Sequence, residues 1–240
     1  MARTSISQSA SRLRRDRSIT YVMSLTYGPL SASIGRGMSA APAPLRYGAV
    51  VIGASAGGVR VLGEILALLP ADFPLPILIV LHLSRTQDSR LAEVLGYRSR
   101  LPVAWARWGE RAVPGRVYVA PRDRHLLLQS NGRLALSNAD PVAWWRPAVD
   151  RLFESAAAAL GPRAIGVVLS GALWDGTRGI AAIREAGGVT IAQDEQSSDH
   201  FEMPAGAIDI GGADIVLPPA KIAEALQVLA GLLAEKPAAA

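Results

Sequence analysis

Cysteine is absent from this sequence. That excludes disulfides, thiolate metal sites and a cysteine nucleophile. Histidine is nearly absent: His82, His125 and His200 are the three in the chain. Three are too few for a rich metal centre, so neither a metal nor another cofactor is expected. No apolar run is long enough to span a bilayer, which argues against membrane insertion and for a cytoplasmic location. Aromatic residues make up 5% of the chain, yet apolar residues together reach 50%, enough to bury a sizeable core. For 240 residues a single α/β domain is the simplest organisation.

A pI near 10.1 points first to nucleic acid, but the distribution of charge does not. Residues 1–46 hold seven arginines and one acid, and end in Ala41-Pro42-Ala43-Pro44. The remainder carries 18 basic and 19 acidic residues, close to neutral. A phosphate-binding face needs clustered Lys and Arg on the folded part, so no nucleic-acid partner is expected. The Ser-, Ala-, Arg- and Gly-rich composition of 1–46 reads as a disordered basic leader, with an ordered domain over 47–235.

Beyond the leader, short apolar runs alternate with helical periodicity. Tyr47–Ala54, Pro76–His82, Ala164–Ser170, Val189–Gln193 and Ile215–Leu217 read as strands. Helices are expected over Gly57–Leu69, Asp88–Leu95, Arg146–Leu160 with Pro147 in the first turn, Asp175–Ala186, a short stretch after Pro204, and Pro218–Leu233. This alternation predicts a doubly wound, mostly parallel α/β sheet of Rossmann-like type. Between them, Val103–Trp108, Arg116–Ala120, His125–Gln129 and Arg133–Ser137 are short strands, the last two joined by Ser130-Asn131-Gly132. They predict a small antiparallel section.

Ligands of open parallel sheets bind beyond the carboxyl ends of the strands. Ser55 stands at the first such end, His82 at the second, and Asp175 follows the strand Ala164–Ser170. A hydroxyl nucleophile needs such a set: the imidazole takes its proton and the carboxylate orients the imidazole. Gly53-Ala54-Ser55-Ala56-Gly57 matches a nucleophile elbow between strand and helix. Gly53 permits the tight turn, and the N–H groups of Ala56 and Gly57 can bind an oxyanion. The same turn alone could hold a phosphate, but neither Gly-x-Gly-x-x-Gly nor Gly-Lys-Ser/Thr is present. Asp175 alone could be the N-cap of its own helix. His125 is the rival base, or a residue lining the cleft. Arg146 is expected near the carboxylate side of a substrate. Trp144, Trp145 and Trp174 could be core lids or a substrate-facing wall, and His200 is expected at the surface. The order Ser55, His82, Asp175 departs from the serine–acid–histidine order of α/β-hydrolases.

Several stretches resemble the catalytic domain of CheB-type protein-glutamate methylesterases of bacterial chemotaxis: VVIGASAGGVRVL, LPADFPLPILIVLHL, GERAVPGRVYVAPRDRHLLL, RPAVDRLFESAA, AIGVVLSGALWDGTRG and GGVTIAQDEQSSDHFEMPAGAI. Together they span roughly residues 47–233 in matching order. The resemblance implies hydrolysis of γ-glutamyl methyl esters on the cytoplasmic helices of methyl-accepting chemoreceptors, with deamidation of receptor glutamines by many members. It places the family's triad on Ser55, His82 and Asp175. The family usually carries an N-terminal receiver domain, and residues 1–46 are too short to hold one, so a chain without that switch is expected. The family's Thr-Gly-Met-Gly-x-Asp-Gly is here Ser170-Gly171-Ala172-Leu173-Trp174-Asp175-Gly176, and a frequent Thr beside the nucleophile is Ala56. These changes alter the pocket wall and leave open a second reading, a non-catalytic CheB-like binding module of a chemosensory complex.

Overall fold

The computed structural model describes residues 47–83 and 88–233; the expected leader lies outside the described residues. Seven strands form one parallel sheet in the order β3-β4-β2-β1-β7-β8-β9. They are β1 (Ala49–Ala54), β2 (Ile77–Leu81), β3 (Val103–Trp105), β4 (Val117–Val119), β7 (Ala164–Val168), β8 (Val189–Gln193) and β9 (Ile215–Leu217). β5 (His125–Leu128) and β6 (Leu134–Ser137) pair antiparallel as a separate hairpin. The helices are α1 (Gly58–Leu68), α2 (Leu91–Gly96), α3 (Val149–Leu160), α4 (Thr177–Glu185), α5 (Glu202–Asp209) and α6 (Pro219–Leu229).

The strand residues are apolar on both faces because both faces are covered. Val50, Ile52 and Ala54 of β1 join one core with Leu62, Ile65 and Leu66 of α1 and Ile222, Leu226 and Leu229 of α6. Ala49 and Val51, pointing the other way, join a second core with Leu152 and Phe153 of α3, Ile180 and Ile183 of α4, and Leu126 and Leu134 of the hairpin. Each large side chain so buried contributes roughly 1.5–3 kcal/mol. The expected doubly wound architecture is therefore present.

Two expectations need correction. The strands at 103–105 and 117–119 do not join the antiparallel section. They extend the main sheet, with Val103 opposite Val117 and Ile77 opposite Val117, both parallel. Eleven residues separate β3 from β4, room for the chain to return without a helix, and strand periodicity carries no direction. Helix α3 begins at Val149 rather than Arg146, after an extended N-cap at Ala148. Residues 142–145 are occupied in a tight two-residue turn, with Val142 and Trp145 exchanging N–H···O bonds of 3.1 and 2.8 Å.

The described residues enter the sheet at its centre, run outward from β1 through β2, then return to β7 on the other side of β1. The carboxyl ends of β1 and β7 therefore form the switch point, where the connections diverge and a crevice opens.

Candidate active site

Ser55 follows β1 directly, and its carbonyl accepts the Gly58 N–H at 2.9 Å as α1 begins. Gly57 is the N-cap with φ 78°, a left-handed conformation that disfavours a side chain. A Cβ there would also lie 2.7 Å from Ser170 Oγ. Neither Ala56 nor Gly57 spends its N–H on an acceptor among the described residues. Two donors thus stand free at a helix N-terminus beside the Ser55 hydroxyl.

The three predicted residues meet. Ser55 Oγ lies 3.0 Å from His82 Nδ1, and His82 Nε2 lies 2.7 Å from Asp175 Oδ2. The His82 side chain is 1% exposed and that of Asp175 is fully enclosed. An ionised carboxylate accepts only, so Nε2 carries the proton of the neutral ring and Nδ1 is left with a lone pair toward Ser55. Trp145 stacks flat on the imidazole, ring centroids 4.0 Å apart and planes 4° apart.

Asp175 does not cap its own helix; Gly176, φ 102°, does. The Asp175 carboxylate instead accepts the N–H groups of Val149 (2.7 Å, Oδ2) and Asp150 (2.9 Å, Oδ1), at the start of α3. A buried negative charge is compensated by the positive end of a helix. Asp150 returns the arrangement: its Oδ1 accepts from Gly176 (3.0 Å) and Gly179 (2.8 Å) at the start of α4, while Arg178 Nε donates to Oδ2 at 3.1 Å. Each helix start is thus capped by an acid attached to the other. Gly53 has a different task from the one its turn suggested. A Cβ there would lie 2.2 Å from Val149 Cγ1, so the glycine lets the start of α3 press against β1.

Two expected contributors sit elsewhere. His125 is 1% exposed. Its Nδ1 accepts the Ala148 N–H at 3.2 Å, which leaves Nε2 to donate to the Asp140 carbonyl at 3.1 Å. Both nitrogens are taken by backbone, so the ring ties the hairpin to the start of α3 rather than lining a cleft. Burial holds its proton affinity below the usual histidine range. Arg146 likewise has no fork left for a substrate carboxylate. It donates to Asp123 Oδ1 at 2.9 Å and to the carbonyls of Asn138 and Ala139 at 2.9 and 3.1 Å. His200 is exposed as expected. Trp144 and Trp174 are exposed too, not core lids.

Sequence reasoning gave no role to the side chains of Asp150, Ser170 and Gln193. Asp150 had a signal, an acid on the apolar stripe with Phe153 and Ala157. Ser170 is fully buried; its carbonyl accepts the Ser55 N–H, and its hydroxyl donates to the Ala56 carbonyl at 2.8 Å. Gln193 Oε1 accepts the Ser170 N–H at 2.8 Å. Ser170 and Gln193 lock the turn carrying Ser55 to β7 and β8, and nothing in their local sequence announces it.

Fold and geometry together define the class: a parallel α/β domain with serine, histidine and aspartate hydrogen-bonded in series at the switch point of its sheet. Comparison with known proteins gives the family. The model for the CheB methylesterase domain matches residues 50–226, and the chain belongs to that family. It is 47% identical over 191 residues to protein-glutamate methylesterase/protein-glutamine glutaminase 2 of Anaeromyxobacter dehalogenans, covering 79% of this chain and 56% of that protein. To protein-glutamate methylesterase FrzG of Myxococcus xanthus it is 42% identical over 183 residues, 76% of this chain and 55% of that one. It thus spans about half the length of the curated relatives it matches. The crystal structure of the Thermotoga maritima CheB methylesterase catalytic domain is similar with a TM-score of 0.73 and 40% identity, covering 78% of this chain and 99% of that one.

Proposed function

We propose that this chain is a protein-glutamate methylesterase that hydrolyses glutamyl methyl esters on the cytoplasmic helices of chemoreceptors, and deamidates glutamines of the same class of substrate. The observation that carries the reading is the series Ser55 Oγ, His82, Asp175 at 3.0 and 2.7 Å. The names of the relatives supply the ester and the amide.

Ser55 Oγ attacks the ester carbonyl as its proton passes to His82 Nδ1. The N–H groups of Ala56 and Gly57 receive the oxyanion. His82, now imidazolium, is held by Asp175, whose charge is already balanced by the start of α3. Collapse of the tetrahedral intermediate breaks the bond to methoxide, which leaves as methanol with the Nδ1 proton. A water molecule then gives a proton to the same nitrogen as its oxygen attacks the acyl-serine. The second tetrahedral intermediate collapses, the acyl bond to Ser55 Oγ breaks, and the Nδ1 proton returns to Oγ, releasing the glutamate side chain and regenerating Ser55 and neutral His82.

The test is methanol release from a methylated chemoreceptor, with the parent and with Ser55→Ala. The variant is expected to lose on the order of 10⁴-fold or more in rate while keeping its fold by circular dichroism. Ester hydrolysis at the parental rate would overturn the assignment of Ser55.

A further inference from the structure

The two hydrogen bonds of His82 fix its ring at two points, Nδ1 and Nε2. A planar ring held at two points still tilts about the line joining them. The contact that opposes the tilt is a face, and Trp145 supplies one, parallel to the imidazole within 4°.

The local chain accepts unfavourable terms to keep the indole there. Ala143 and Trp144 form the centre of the two-residue turn with φ 46° and 75°. Both lie in the left-handed region, where glycine and asparagine are the usual occupants. The indole Nε1–H is buried with no acceptor among the described residues. On the other side of Trp145, the Arg146 guanidinium clamps the carbonyls of Asn138 and Ala139. Strained backbone and unmet donors persist where the surroundings over-determine them, and they gather at functional sites.

We propose that Trp145 is a positioning residue of the esterase site: its indole face keeps His82 in the ring plane that serves Ser55 and Asp175, and stabilises the imidazolium that forms as Ser55 loses its proton. The inference rests on the reading of Ser55, His82 and Asp175 as the hydrolytic triad. The face of an indole is electron-rich and attracts a cationic ring more than a neutral one. The added attraction arises only as the proton moves, so it acts on the chemical step and not on binding.

The experiment uses the full chain and a fluorophosphonate, which reports Ser55 reactivity without a receptor. Trp145→Leu and Trp145→Met remove the flat face and keep apolar volume; Trp145→Phe keeps a flat face. The first two are expected to lower the maximal inactivation rate on the order of 10- to 100-fold, with the half-saturating concentration within about threefold of the parent. Trp145→Phe is expected to recover most of the rate. A folded Leu or Met variant labelled at the parental rate, or a folded Phe variant as slow as they are, overturns the inference. The parent alone supplies a further check. The His82 ring protons should be displaced by the indole ring current relative to those of His200, and unshifted protons also overturn it. Parental labelling of Ser55→Ala would sink the triad reading itself, which separates the two failures.

Discussion

His125 shows how one buried side chain ties stability to pH. Its Nδ1 faces a backbone donor and its ring is almost wholly out of water, so the folded protein resists protonating it. In the unfolded chain the same imidazole titrates near 6.5. Above about pH 6.5 both states are neutral and the group adds nothing to the slope. Below it the unfolded state binds the proton first, so stability falls as pH falls toward the lower folded value. Urea unfolding at pH 7.5 and 5.5 should show this loss in the parent. His125→Gln should be less stable at pH 7.5 and lose less on acidification. An equal loss in both proteins would remove His125 from the explanation. The residue types at the site were legible in the sequence, but their partners were not. Arg146 reads as a substrate-binding cation until its donors are found on Asp123, Asn138 and Ala139.

At the scale of elements, α3 and α4 cap one another. Asp175, on the approach to α4, serves the first turn of α3; Asp150, on α3, serves the first turn of α4. Asp150→Ala strands two buried N–H groups and frees Arg178 from its closest carboxylate. The expected loss is about 2 kcal/mol, read as a lower melting temperature, with Ser55 labelling slowed because the loop carrying Asp175 loses its anchor. Unchanged stability would contradict the reciprocal cap. Helix periodicity located both helices to within a few residues. It placed the start of α3 too early because that boundary is set by Asp175, 26 residues away, and by the Val142–Trp145 turn. Strand direction was illegible for the same kind of reason: β3 and β4 look alike in sequence whether their partners run with them or against them.

For the molecule as a whole, the site exists only where three strands end together. Ser55, His82 and Asp175 follow β1, β2 and β7, adjacent in the sheet although 120 residues separate the first from the last. The sheet between the two cores is what holds the three strand ends together. Ser55 labelling by fluorophosphonate and far-UV circular dichroism should therefore fall at the same urea midpoint, as expected of a cooperative domain. Labelling lost well before the sheet would show the site to be a separate, weaker unit. What the sequence by itself determined was the alternation of buried strands and amphipathic helices, and with it the parallel arrangement of β1, β2, β7, β8 and β9 but not of β3 and β4, because hydrophobic periodicity is a local property. It also determined which chemistry could stand at the strand ends, from Ser55 in its glycine turn to Asp175. The tertiary structure decided that Asp175 serves His82 and α3 rather than its own helix, that His125 and Arg146 brace the scaffold, and that Trp145 covers the imidazole. Those roles depend on distances between segments far apart in the chain, and such distances are set by packing and not by sequence spacing.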